Sequence, residues 1–95
     1  MVEMDEKLLL VLATFVEIAP NRLKILKCLD NADVLIPTEI AKATGLHINS
    51  VSKQLRYLRE KELVYLLNPD YKRGRLYRIT DLGIDVLNFL NTKQK

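Results

Sequence analysis

Two short runs of helical apolar spacing, divided by one glycine, constrain this chain more than any other feature. Ile36 to Thr44 directs Ile40 and Ala41 toward one side, with Pro37 or Thr38 near its start, and Gly45 supplies permissive backbone at its end. Only Leu46, His47 and Ile48 intervene before a second pattern, running from His47 or Asn49 to Lys61. There Val51, Leu55 and Leu58 recur at i, i+4 and i+7, the stripe of a helix with one buried face, and Leu63 closes the turn beyond. The spacing predicts two short helices packed together through a tight turn.

Such a pair matches a helix-turn-helix pattern, and the segments around it complete a small domain. Asp5 to Ile18 places Leu8, Leu9, Leu12, Phe15 and Val16 at helical spacing, with Leu10, Val11 and Ala13 between them. That helix is apolar around most of its circumference, so part of its surface is expected to meet a second subunit. Pro20 is expected to stop it. Asn21 is a candidate cap for a second helix ending near Asp30, with Leu23, Ile25, Leu26 and Leu29 inward and Arg22, Lys24 and Lys27 in water. After Leu63 the period changes. Val64 to Leu67 and Arg75 to Ile79 read as strands flanking the polar, basic stretch Asn68 to Gly74, which makes a hairpin with an extended tip. Strict alternation pairs Tyr77 with Ile79 and Leu76 with Arg78, and an irregular strand is the alternative. Thr80 or Asp81 caps a last helix carrying Leu82, Val86, Leu87, Phe89 and Leu90, followed by the polar tail Thr92 to Lys95. The expected fold class is α+β, mainly α, as one domain over residues 1–95.

Composition narrows the function classes. A hydrophobic fraction of 48% in 95 residues suits one compact domain with a thin core and no large catalytic cleft. The longest apolar stretch, Leu8 to Ala13, is far short of the roughly 18 residues of a membrane span, and no secretory leader pattern begins the chain. A cytoplasmic location is expected. Cys28 is the single cysteine, so no internal disulfide forms, and no metal-ligand cluster accompanies it. With one histidine, no Gly-rich phosphate loop and no nucleophile beside a base, an enzyme is not expected, nor is a cofactor. Charge is more informative. From Lys42 to Arg78 there are nine basic and three acidic residues, a net +6, so the rest of the chain carries −3 of the overall +3. A concentrated basic segment on a helix-turn-helix and a hairpin tip suits a nucleic-acid duplex.

The residues Thr38-Glu-Ile-Ala-Lys-Ala-Thr-Gly-Leu46, then Asn49-Ser-Val-Ser-Lys-Gln-Leu-Arg-Tyr-Leu-Arg-Glu-Lys-Glu-Leu-Val64, and Tyr77-Arg-Ile-Thr-Asp-Leu-Gly83 resemble the winged helix-turn-helix of small ArsR-like and MarR-like transcription regulators. The resemblance runs roughly from Arg22 to Leu90. It implies a supporting helix at Glu39 to Thr44, a recognition helix at Asn49 to Glu60 in the major groove, and a wing containing Lys72, Arg73 and Arg75. It also implies a homodimer built by the N- and C-terminal helices. Asn49, Ser50, Lys53 and Gln54 then become candidates for reading base edges, and Thr38, His47, Ser52 and Arg56 candidates for the DNA backbone. Ser50 and Ser52 read equally as ordinary polar positions, and Tyr57 as a shield at the core edge. Metal-sensing ArsR-like proteins carry paired cysteines near the motif, which this chain lacks. MarR-like proteins are usually longer and enclose a ligand pocket, for which this chain has little material. The expected function is a sequence-specific double-stranded DNA-binding regulator, a homodimeric repressor. The alternative is a winged-helix protein-interaction module in a multisubunit assembly.

Overall fold

The computed structural model describes residues 5–93, so Gln94 and Lys95 of the polar tail lie outside the described residues. Helix α1 (Glu6–Glu17) starts where Asp5 Oδ1 accepts the Lys7 backbone N–H at 3.0 Å. Helix α2 (Pro20–Asp30) corrects two expectations. Ala19, not Asn21, precedes its first turn, and Pro20 is its first residue rather than a stop for α1. Proline suits that position because its fixed φ is helical and the missing N–H has no partner there anyway. Helix α3 (Pro37–Thr44) opens with Glu39 Oε1 accepting the Ile36 N–H at 3.0 Å. It closes at Gly45, whose φ of 75° is left-handed and whose N–H reaches the Ala41 carbonyl at 2.9 Å. Helix α4 (Ile48–Glu60) follows at once, capped by His47.

The chain leaves α4 through paired backbone bonds, Glu62 N–H to the Arg59 carbonyl and Leu63 N–H to the Leu58 carbonyl, both at 2.9 Å. Glu62 occupies the left-handed position at φ 59°, where glycine is usual. Strands β1 (Val64–Leu66) and β2 (Tyr77–Ile79) pair antiparallel as Val64↔Ile79, Tyr65↔Arg78 and Leu66↔Tyr77. Alternation is therefore strict: Tyr77 and Ile79 turn inward, while Leu76 and Arg78 turn outward. On its other edge β2 is bound by Leu35, whose N–H and carbonyl exchange bonds with Tyr77 at 3.0 and 2.9 Å. Thr80, buried between β2 and helix α5 (Asp81–Lys93), donates through Oγ1 to the Glu62 carbonyl at 2.8 Å and accepts the Gly83 N–H at 3.0 Å.

The core gathers Val16 from α1, Ile25, Leu26 and Leu29 from α2, Ile40 from α3, Val51, Leu55 and Leu58 from α4, Leu63, and Val86 from α5, all without solvent exposure. Each such burial stabilises the fold by about 1.5 to 3 kcal/mol relative to an exposed side chain. Helix α1 packs on α5 and α2, yet its Leu8, Leu10 and Val11 remain exposed. Among the described residues no helix is long and apolar enough to cross a membrane.

Candidate nucleic-acid interface

Helix α4 divides its side chains among four faces. Val51, Leu55 and Leu58 are buried against the core, which holds the helix in place. On one flank, Ile48, Ser52, Arg56 and Arg59 recur at i, i+4, i+8 and i+11 and line a groove that the hairpin tip closes from the far side. Across it stand Lys72, Arg73 and Arg75, with Thr38 of α3 at one end and Ile36, Pro37 and buried Tyr77 also lining it. The groove encloses about 640 Å³, and among the described residues no carboxylate lines it. Five cations from two elements thus share one depression, an arrangement that attracts a polyanion through the field of the whole cluster.

Each expected site residue has a definite place. Thr38, Ser52, Arg56, Lys72, Arg73 and Arg75 meet in the groove. Asn49 and Lys53 are exposed on the outer face of α4, away from the core. His47 is exposed at the head of α4, and its Nδ1 accepts the Asn49 N–H at 3.0 Å. That bond leaves Nε2 as the nitrogen that carries the ring proton in the neutral form and donates outward. Ser50 and Gln54 lie on the opposite flank, half-buried. Gln54 is not a freely presented amide: its Oε1 accepts from Arg22 Nε at 3.0 Å.

Arg22 departs from expectation. It does not simply stay in water but is half-buried, with its guanidinium 3.9 Å from the centre of the Phe15 ring and 5.5 Å from that of Tyr57. It also donates to the Phe15 carbonyl. The Ile18 and Ala19 N–H groups turn instead to Thr14 and Val16, so the side chain of Arg22 serves a carbonyl in the last turn of α1. The charge is tolerated there because aromatic faces and two acceptors replace its hydration. Arg59 is the groove cation absent from the expected site; its spacing of three from Arg56 and seven from Ser52 was a legible signal.

The wing tip is braced. Asn68 Nδ2 donates to the Gly74 carbonyl at 3.1 Å, Asn68 Oδ1 accepts the Leu76 N–H at 2.8 Å, and Arg75 Nε donates to the Tyr71 carbonyl at 2.8 Å. Cys28 sits apart, in a shallow depression between α2 and α3 lined also by Lys24 and Lys27. Burial pushes its thiol pKa up, so the neutral form is favoured. Among the described residues no group of three or more His, Cys, Asp or Glu is arranged to hold a metal.

Comparison with known proteins agrees with this geometry. A family model described as "Bacterial regulatory protein, arsR family" matches residues 19–65, which span α2, the helix-turn-helix and the start of β1. The structure of TubR bound to 24 bp of tubC from Bacillus thuringiensis serovar israelensis superposes with a TM-score of 0.77 at 15% identity, covering 98% of this chain and 99% of that one. A MarR variant from E. coli in complex with operator DNA gives a TM-score of 0.64 at 27% identity, covering 85% of this chain but 59% of that one. The Zalpha domain of PKZ from Carassius auratus, in complex with Z-DNA, gives 0.58 at 23% identity, covering 64% of this chain and 94% of that one. No match was found among curated protein sequences. The fold and the basic groove define a winged helix-turn-helix protein of the DNA-binding regulator class. Its helix-turn-helix matches the arsR family of bacterial regulatory proteins, and its fold is that of the TubR and MarR winged-helix structures.

Proposed function

We propose that residues 1–95 act as a single winged-helix domain that dimerises through its terminal helices and represses transcription by occupying a specific duplex site. The observation that carries this reading is the groove that Arg56 and Arg59 of α4 line together with Lys72, Arg73 and Arg75 of the wing, with no carboxylate among the described residues that line it. A phosphate backbone entering that groove is held from both sides, which sets the register of α4 along the duplex. Asn49 and Lys53 then face the base edges, Ser50 stands at their flank, and Thr38 and His47 donate to phosphates at the two helix starts. Leu8 and Val11, exposed one turn apart on α1, support pairing with a second copy. A two-fold pair presents two α4 helices to half-sites about one helical turn apart. The duplex-bound TubR and MarR structures support the DNA partner.

A protein-interaction module is the second reading, favoured by the outward face of the hairpin, where Tyr65 (54% exposed), Leu67 (46%) and Leu76 (37%) lie together. Titration into labelled duplexes enriched from a random pool, at several salt concentrations, tests the first reading. A two-fold-symmetric preferred sequence and a dimer in light scattering are expected. No duplex binding at low salt, with a monomer in solution, would transfer the function to the second reading.

A further inference from the structure

The side chain of Arg22 joins the end of α1 to the flank of α4, and the geometry of that link bears on how sequence is read. Its Nε–H is a donor, so the Gln54 atom 3.0 Å away is the amide oxygen, and the amide cannot turn over without setting two donors face to face. Arg22 itself has little freedom: its guanidinium lies on Phe15, donates to the Phe15 carbonyl, and stands 5.5 Å from the Tyr57 ring, one helical turn along α4 from Gln54. Gln54 is only half-buried, its amide nitrogen has no acceptor among the hydrogen bonds of the described residues, and no buried side-chain nitrogen or oxygen among them is left without a partner. That nitrogen is therefore open to solvent.

We propose that Arg22 is a positioning residue for sequence discrimination: it holds the Gln54 oxygen inward, so that α4 offers an N–H donor and no acceptor at this position. A free glutamine pairs with adenine, whose major-groove edge combines the N7 acceptor with the N6 amino donor. A glutamine restricted to donation fits an edge that presents two acceptors side by side, N7 and O6 of guanine. The specificity carried by this side chain is thus set by a residue of α2. The inference rests on the duplex-binding reading above.

The test is selection of bound duplexes from a random pool by the full chain and three variants, with thermal melting to confirm folding. Gln54→Met identifies the base pair that Gln54 reads, as the position where its preference disappears. Wild type enriches a G·C pair there. Arg22→Met frees the amide and raises acceptance of adenine at that position about tenfold, within the range that one bidentate base contact supports. Arg22→Lys, which keeps a donor and a charge, restores the wild-type preference at least in part. The slope of affinity against salt stays the same in all four proteins, since none of these groups lines the cationic groove.

If Arg22→Met fails to fold, the base preference of wild type at the position found with Gln54→Met decides alone. An A·T pair at that position, a wild-type preference retained in folded Arg22→Met, or a selected sequence unchanged in Gln54→Met each overturns the inference while leaving duplex binding in place. A wild-type chain that binds no duplex overturns the DNA reading and this inference with it.

Discussion

Replacing Gly83 by alanine is expected to destabilise the fold, against the ordinary effect of the same change in a helix. In an exposed helix interior, alanine is favoured over glycine by about 1 kcal/mol. Here a Cβ would stand 2.5 Å from the Leu63 carbonyl oxygen and 2.7 Å from Ile79 Cγ1. The Ile79 side chain has some freedom to adjust, but the carbonyl has little, because it already accepts the Thr80 N–H at 3.1 Å. Restoring an ordinary C···O contact of about 3.3 Å requires α5 to retreat by about 0.8 Å, which loosens Val86 and Leu90 in the core. Overpacking of this kind costs about 1 to 3 kcal/mol, and a backbone obstacle puts the cost at the upper end. After subtracting the helix gain, the net loss is about 2 kcal/mol, or a fall in Tm of about 8 to 16 °C for a domain of this size. Thermal and urea unfolding followed by circular dichroism measures it. A Tm equal to or above wild type would refute the close approach of α5 to the Leu63 carbonyl and to Ile79 of β2.

Three further substitutions, with Lys27→Ala as a control for the first, test separate parts of the structure. Arg59→Ala should flatten the log–log salt dependence of duplex binding by about 0.9 per protomer, about 1.8 for a dimer. Lys27→Ala, at the α2–α3 depression, should leave the slope unchanged, and equal slopes for both variants would remove Arg59 from the phosphate contacts. Thr80→Val removes the donor to the Glu62 carbonyl and the acceptor for the Gly83 N–H, and should cost about 2 to 4 kcal/mol in denaturant unfolding. A loss under 1 kcal/mol would count against both bonds. Val11→Glu, on the exposed α1 face, should convert a dimer to a monomer in light scattering without lowering helix content, and an unchanged dimer would place the subunit interface elsewhere.

Much of this architecture was legible because one-sided burial leaves a periodic trace. Val51, Leu55 and Leu58 marked α4, Gly45 marked the turn before it, and the change to alternating spacing after Leu63 marked the hairpin. The groove cations were legible too, since Arg56, Lys72, Arg73 and Arg75 fall on the two elements whose pairing makes the groove. Failures occurred where a residue's role depends on a distant partner. Arg22 read as a solvated helix residue because neither Phe15, in the preceding helix, nor Gln54, in α4, lies within its own periodic pattern. Gln54 read only as a base-edge candidate, with no sign of its bond to Arg22, for the same reason. Pro20 read as a terminator because proline breaks a helix it enters from the middle and suits one it begins. Glu62 gave no signal of its left-handed backbone, which the turn after α4 imposes.

The bridge between Leu35 and Tyr77 gives the hairpin a fixed root and an independent tip. At the root, β2 is held between β1 and the connection preceding α3, so the base of the wing moves with the helix-turn-helix as one body. Residues 68–75 hang beyond that anchorage and close on themselves through Asn68 and Tyr71. Lengthening or recharging that loop changes how far the arm reaches while leaving the domain's folding almost untouched, since loop closure entropy grows only slowly with length. Reach and stability are thereby separable quantities in this protein, and a family of proteins with arms of different span could be built on the same body.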